Sequence, residues 1–464
     1  MNAPCVQALH CGRTAVLTRG SAQHLPLLAQ ALSRLDALGS RWARHRGTLL
    51  SMLFDRFPWR GAAALAALAL IFVPRFACAR AGATSSPAAS NVPGASSPRI
   101  YQDRRVSFEL SAPAAHSVLL AGGDGLGHGP FPMTKSPDGV WRVTLPPVVP
   151  GFHYYWFILD GVAVSDPASK TYFGYGKEVS GLEVPDPQGD FYAVRAVPHG
   201  EVREKWYWSR VTGAWRRAFV YTPPEYDADR RQRYPVLILQ HGYGEDATGW
   251  TRQGKAQFIL DNLIAAGKAK PMIVVMDLGY ANKPGTPALH LGPDTPVKQI
   301  GLAFGAFEDV ILHDLIPTID ASYRTIPDRD HRAMAGLSMG GMEALFIALH
   351  HQDTFAYVAS LSGPILQNPN SSLPLAAAMG APFDVKTAYG GTFADASRFN
   401  QRERLLWMGV GTAEPPEIRL GIVAAVKALR AHGVHLVYFE SPGTAHEWQT
   451  WRRDLKDLAP RLFR

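Results

Sequence analysis

Between residues 99 and 193 the apolar residues come in short alternating runs, among them Val106-Ser107-Phe108-Glu109-Leu110, Val140-Trp141-Arg142-Val143-Thr144-Leu145 and Tyr154-Tyr155-Trp156-Phe157-Ile158-Leu159. Turn-forming stretches such as Gly122-Gly123-Asp124-Gly125, Pro137-Asp138-Gly139 and Asp160-Gly161 separate them. Side chains alternate sides along a strand, so this pattern, broken every few residues by a turn, predicts a small β-sandwich. Past residue 200 the pattern changes. A meander (Val202 to Ser209, then Arg217 to Tyr221) leads into Thr222-Pro223-Pro224. The apolar runs that follow are unbroken: Val236 to Gln240, Met272 to Met276, Ala333 to Ala335, Tyr357 to Leu361, Leu405 to Val410 and His435 to Glu440. Helical segments are expected between them, near 256–267, 307–322, 340–350 and 417–431. Strands apolar on both faces, alternating with helices, predict an α/β domain whose mostly parallel sheet is covered on both sides. Its ligands bind beyond the carboxyl ends of the strands. Segments 280–305 and 364–400 are rich in Pro, Gly and Asn and follow strand ends, so they are expected to wall a pocket there.

The chain ahead of the sandwich follows neither pattern. Gly61 to Val73 is an unbroken apolar run, preceded by Arg56 and Arg60 and followed by Ala77-Cys78-Ala79. A basic flank, an apolar core too short to span a bilayer comfortably and a small-x-small site predict a secretory signal, with an uncleaved membrane anchor as the competing reading. Met52 stands just before that core. Residues 1–51 are therefore expected to be a non-native or disordered leader, 52–81 the signal peptide, and the Ala, Ser, Pro and Gly of 82–98 a flexible linker. The folded remainder divides into 99–193 and 200–464, and export to the periplasm or the medium is expected.

Charge narrows the classes of partner. The formal net charge is +8, but the first 80 residues hold ten arginines and two aspartates, leaving 37 basic and 37 acidic residues in the remainder. With no basic stripe on the folded part, a nucleic-acid partner is not expected. Cys5, Cys11 and Cys78 all fall in the leader and signal. The mature chain is expected to have no disulfide framework, no thiol nucleophile and no thiolate metal site, and no stable membrane insertion once the signal is cleaved.

Candidate chemistry centres on Gly336-Leu337-Ser338-Met339-Gly340, which falls between the apolar run at 333–335 and the helical segment 340–350. A Gly-x-Ser-x-Gly at a strand-to-helix turn lifts the serine hydroxyl above the sheet and aims nearby N–H groups at a developing oxyanion. The loop His241-Gly242-Tyr243-Gly244-Glu245 follows another strand, so the N–H groups of Tyr243 and Met339 are the candidate oxyanion donors. A serine hydroxyl needs a base, and His446 is the downstream histidine on a loop past a strand's carboxyl end. The carboxylate that orients it is expected to be Glu414, on the loop leaving strand 405–410; Asp395, which precedes that strand, is the alternative. Asp384 lies in the same insertion, and Glu417 reads as a favourable charge in a helix's first turn. Glu447 follows His446 but Thr450 stands where a second zinc-binding histidine would be needed, which excludes the zinc-peptidase pattern.

Tyr234 to Gly244, Asp330 to Gly341 and the loop Ser441-Pro442-Gly443-Thr444-Ala445-His446 resemble the bacterial putative-esterase family, over roughly residues 200–464. That family includes feruloyl and acetylxylan esterases, enterochelin esterases and mycolyl transferases. The resemblance implies an α/β-hydrolase fold and a serine carboxylesterase without metal or organic cofactor, acting on a small-molecule or polysaccharide ester. Feruloyl or acetyl esters of plant polysaccharide, a siderophore ester and acyl transfer all remain open, as does an inert hydrolase domain in a sugar-binding protein. One departure is that many members place an aspartate where this chain has Gly411-Thr412-Ala413-Glu414. Asp138-Gly139-Val140-Trp141, Tyr155 to Gly161 and Ser165-Asp166-Pro167 resemble the immunoglobulin-like family-48 carbohydrate-binding modules. This second resemblance implies sugar contacts through Trp141, Tyr155 and Trp156, or packing of the same aromatics against the neighbouring domain.

Overall fold

The unbroken apolar runs become strands of one eight-stranded sheet. The computed structural model describes residues 84–464 apart from 128, 286 and 287. Its large sheet is built from β1 (Glu201–Ser209), β2 (Ala214–Thr222), β3 (Val236–Gln240), β4 (Ile273–Met276), β5 (Arg332–Leu337), β6 (Tyr357–Leu361), β7 (Leu405–Gly411) and β8 (Val437–Ser441). The spatial order is β1-β2-β4-β3-β5-β6-β7-β8. β2 runs antiparallel to both neighbours, and all later pairs are parallel. Residues of β3 to β6 are buried without exception, which is why they read as runs and not as alternations.

Helices cover both faces: α1 (Ala256–Ala265), α2 (Val297–Val310), α3 (Ile316–Ser322), α4 (Met339–His350), α5 (Pro416–Ala431) and α6 (Trp448–Leu458). β3 shows the two layers directly. Val236 and Ile238 pack with Phe307 and Ile347 on one side, while Leu237 and Leu239 pack with Ile259 and Leu455 on the other. This is the α/β-hydrolase arrangement. The helix expected over 307–322 is longer at its start: α2 begins at Val297 and passes through a π-turn, Ile311–Leu315, into α3. Its buried positions Val297, Ile300, Phe304 and Phe307 keep helical spacing, but the Pro and Gly content of 280–296 hid where that spacing begins.

Ahead of this domain stand two antiparallel sheets. One joins Ser85–Pro87, Arg99–Tyr101, Val106–Ser111, Val140–Leu145 and Thr134–Lys135; the other is centred on Gly151–Leu159, flanked by Lys177–Val184 and Val118–Gly122. Within the segment expected to be a flexible linker, Ser85–Pro87 is an edge strand of the first sheet, paired with Arg99–Tyr101. An edge strand tolerates the proline that made this stretch read as linker. The leader, the signal and the three cysteines lie outside the described residues.

The described residues from 84 to 464 form one compact unit, and strand Gly151–Leu159 shows why. Tyr155 and Phe157 enter the sandwich core with Phe108 and Trp141, whereas Phe152 and Tyr154 join the cluster of Trp250, Trp448 and Trp451 in the α/β domain. A polar lock lies beside this apolar seam. Arg452 of α6 is wholly buried and makes a two-pronged ion pair with Glu183 of the sandwich, at 2.7 and 3.0 Å.

Candidate active site

Ser338 sits between the end of β5 and the start of α4 with φ 51° and ψ −115°. Such a conformation costs a non-glycine residue about 1–3 kcal/mol and persists only where its surroundings hold it. Here the Ser338 N–H donates to Leu361 O at 2.8 Å on β6. The flanking glycines are demanded by close approach. A Cβ on Gly336 would strike the backbone of Gly340, and one on Gly340 would lie 2.6 Å from His241 O.

His446 lies on the loop between β8 and α6, with Nε2 2.8 Å from Ser338 Oγ and Nδ1 3.0 Å from Glu414 Oε2. The carboxylate accepts the Nδ1–H, so Nε2 is left to accept the Ser338 hydroxyl proton. Glu414 Oε1 accepts the Gly411 N–H at 2.9 Å and the Ser362 hydroxyl, whose oxygen in turn receives Trp451 Nε1–H at 3.2 Å. Burial alone would lower the His446 pKa, but the hydrogen bond and charge of Glu414 outweigh it and hold the imidazole above its ordinary value. Asp395 is far from this work in kind: it caps the helix Ala396–Arg402, accepting the Arg398 N–H. Asp384 binds Lys386 N–H and the Thr387 hydroxyl, and Glu417 occupies the first turn of α5.

The loop after β3 approaches Ser338 from the other side. Gly242 N–H donates to Glu245 Oε2 at 3.2 Å and Gly244 N–H to the Tyr280 hydroxyl at 2.6 Å. Among the described residues, the N–H groups of Tyr243 and Met339 have no acceptor. His241 is buried and neutral: burial lowers its pKa, Nδ1–H donates to Gly242 O at 2.8 Å, and Nε2 accepts Gly279 N–H at 3.0 Å. Glu245 is buried as well, which pushes its carboxyl up to about 7. Together Ser338, His446 and this loop line one open cleft.

The far wall of the cleft belongs to the sandwich, through Gly123 to Gly125, Phe152 to Tyr154 and Tyr175. Gly125 packs so tightly over His153 and Glu447 that a Cβ there would collide with both. The expectation that 280–305 and 364–400 wall the pocket is thereby corrected. From 280–305, Tyr280 and His290 touch the loop after β3, by hydrogen bonds to Gly244 and to the Tyr243 hydroxyl, and none of the described residues of either segment lines the cleft. Sequence reasoning also missed Ser362 and Trp451; Ser362 follows a strand end with φ 57°, a feature that the sequence does not display.

Trp141 and Tyr155 are buried in the sandwich core, with Trp141 Nε1–H bound to Ala112 O and the Tyr155 hydroxyl to Asp166. No ring face is left for a sugar at either position, which corrects that expectation. Trp156 is half-buried against Tyr175, with Lys177 over its ring, so packing accounts for it. Among the described residues, the exposed tryptophans lie on the outer hairpin of the other domain: Trp206 and Trp208 on β1, Trp215 on β2. No group of three His, Cys, Asp or Glu among the described residues has metal-binding geometry.

Residues 209–462 match the family described as "Putative esterase". The chain is 38% identical over 384 residues to an endo-1,4-beta-xylanase/feruloyl esterase of Xylanibacter ruminicola, a match covering 82% of this chain and 47% of that protein. An esterase of Mycobacterium tuberculosis is 34% identical over 183 residues, 38% of this chain and 36% of its own. The chain thus spans less than half the length of these curated relatives. Among solved structures, the enterobactin esterase of Shigella flexneri superposes with a TM-score of 0.53 at 18% identity, covering 76% of this chain and 92% of its own.

Proposed function

This chain belongs to the putative esterase family, and from that premise we propose that it is a carboxylic ester hydrolase working through an acyl-enzyme on Ser338. In the proposed reaction Ser338 Oγ attacks the ester carbonyl while His446 Nε2 takes its proton. Glu414 fixes the tautomer and stabilises the imidazolium. The carbonyl oxygen becomes negative within reach of the Tyr243 and Met339 N–H groups. The imidazolium then protonates the leaving alcohol, the C–O bond breaks, and water, deprotonated by His446, releases the acid and restores Ser338. The observation that carries this reading is the continuous chain from Ser338 Oγ through His446 to Glu414, at 2.8 and 3.0 Å. A phosphonate or sulfonyl fluoride is expected to label Ser338 alone, with Ser338→Ala losing nearly all hydrolysis. Full turnover by that variant would end the proposal.

The proposed substrate is an aromatic acyl ester of plant polysaccharide, of the feruloyl kind. Support comes from the extent of identity to a feruloyl esterase and from a cleft lined by Phe152, Tyr175, Tyr243 and Trp451, flat rings suited to an aromatic acid. Rates on methyl ferulate, p-nitrophenyl acetate and a catecholate ester decide between aromatic, acetyl and siderophore substrates. The exported location expected from residues 52–81 belongs to the same proposal, and N-terminal sequencing of protein recovered from the medium or periplasm tests it.

A further inference from the structure

Four bonds pin the peptides on either side of Tyr243, and two of them originate in the sandwich. Gly176 N–H donates to Gly244 O at 2.8 Å. The Tyr154 hydroxyl donates to Glu245 Oε1 at 2.8 Å, while Oε2 of that carboxyl accepts Gly242 N–H. The fourth is Gly244 N–H to the Tyr280 hydroxyl. A phenol has one proton to give and two lone pairs to fill. Tyr154 fills both, with Gln253 Nε2–H at 2.8 Å and Trp448 Nε1–H at 3.0 Å, and of the two acceptors left for its proton Glu245 Oε1, at 2.8 Å, is much nearer than Phe173 O, at 3.4 Å. All four side chains are buried, at 7% exposure for Tyr154, 5% for Glu245, 0% for Gln253 and 1% for Trp448. Trp448 stands two residues past His446, so one hydroxyl ties the loop after β3 to the start of α6, where the histidine's loop ends.

We propose that Tyr154 of the sandwich is a positioning residue for ester hydrolysis, acting through Glu245 to aim the Tyr243 N–H at the developing oxyanion. The inference rests on the acyl-enzyme reading above and adds to it that the sandwich is a working part of the catalytic unit. A buried network of this kind holds one geometry because the Tyr154 hydroxyl and both oxygens of Glu245 are all engaged. Losing one hydroxyl leaves Glu245 Oε1 without its donor and two buried N–H groups without an acceptor, and the loop is then free to shift. Donors to an oxyanion act only at short range, so a small shift is costly to the transition state and nearly neutral to bound substrate.

Tyr154→Phe keeps the ring and removes the hydroxyl. With p-nitrophenyl acetate its kcat is expected to fall about 10- to 100-fold, somewhat less than deletion of an oxyanion donor costs, with KM within about twofold. Affinity for an alkyl trifluoromethyl ketone, which binds serine as a tetrahedral alkoxide, is expected to fall by the same factor, and the thermal midpoint to remain that of a folded protein. Glu245→Gln keeps the acceptor for Tyr154 but turns an amide toward Gly242 N–H, and it serves as the second test should Tyr154→Phe fold poorly; the same paired losses are expected. Wild-type kcat in these folded variants beside an inactive Ser338→Ala overturns the positioning role alone. So does a kcat loss with unchanged ketone affinity. Full activity in Ser338→Ala overturns the acyl-enzyme reading and this inference with it.

Discussion

The turn carrying Ser338 and the loop carrying the Tyr243 N–H face one cleft, yet they are held by opposite means. Ser338 is fixed locally: two glycines let β5, α4 and the end of β3 close upon it, and its N–H is bound to the adjacent strand. The loop after β3 adds to its own bonds a restraint from outside, from Tyr280 and from a tyrosine 91 residues before Glu245. Strain that must be exact at one atom is stored where the sheet is stiffest. Donors that need only face a small region can be braced from a separate domain, and the brace then makes that domain part of the site.

The largest effect that could break this comparison concerns the local half. In related geometries the orienting carboxylate has been worth about 10⁴ in kcat, so Glu414→Gln is expected to lose roughly 10³- to 10⁴-fold with its fold kept. The pH profile sharpens the result. His446 must be neutral to act, and Glu414 raises its pKa, so in the wild type activity falls with decreasing pH at a point above the ordinary imidazole value. Without the carboxylate that limb moves to lower pH. A residual activity whose acid limb stays in place would show that Glu414 does not face the working base.

The remote half is tested next, as stability. Arg452 is wholly buried, and Glu183 is its carboxylate partner across the seam between the domains. Removing one partner of a buried pair leaves an uncompensated charge and costs about 3–5 kcal/mol. Glu183→Gln is therefore expected to lower the unfolding free energy by roughly 3 kcal/mol, read from a urea titration, and to impair turnover beyond what the folded fraction explains. Loss of stability with normal turnover per folded molecule would mean that the sandwich can loosen without disturbing the loop.

The same contrast explains what could be read without coordinates. The motif around Ser338 was legible because its glycines sit between an apolar run and a helical one, so local pattern and local geometry coincide. His446 and Glu414, which the structure brings to Ser338, were legible as residues on loops past strand ends. The brace through Tyr154 was not. Periodicity showed Tyr154 to Leu159 as an apolar strand but could not say that its two faces serve two cores, one of them in the other domain. For the same reason 280–305 and 364–400 looked like the pocket wall: length and turn residues mark a loop, not the direction it folds. Ser85–Pro87 read as linker because its composition, and not its single pairing partner, is what the sequence displays.

The smallest predicted effect concerns the carboxylate that competed with Glu414 for the orienting role. Asp395 has extended backbone angles, φ −112° and ψ 92°, and its Oδ1 accepts the Arg398 N–H at 3.0 Å, the position and bond of a helix N-cap. A cap satisfies one of the donors that the first turn of a helix leaves open, and its loss costs about 1 kcal/mol. The helix it starts, Ala396–Arg402, buries Phe399 and leads into β7, so the cost is felt in stability and not at the histidine. Asp395→Ala is accordingly expected to lower the unfolding free energy by about 1 kcal/mol and to leave kcat and the acid limb of the pH profile within error of the wild type. A tenfold or larger loss of kcat, with the limb displaced to lower pH, would transfer to Asp395 the role proposed for Glu414.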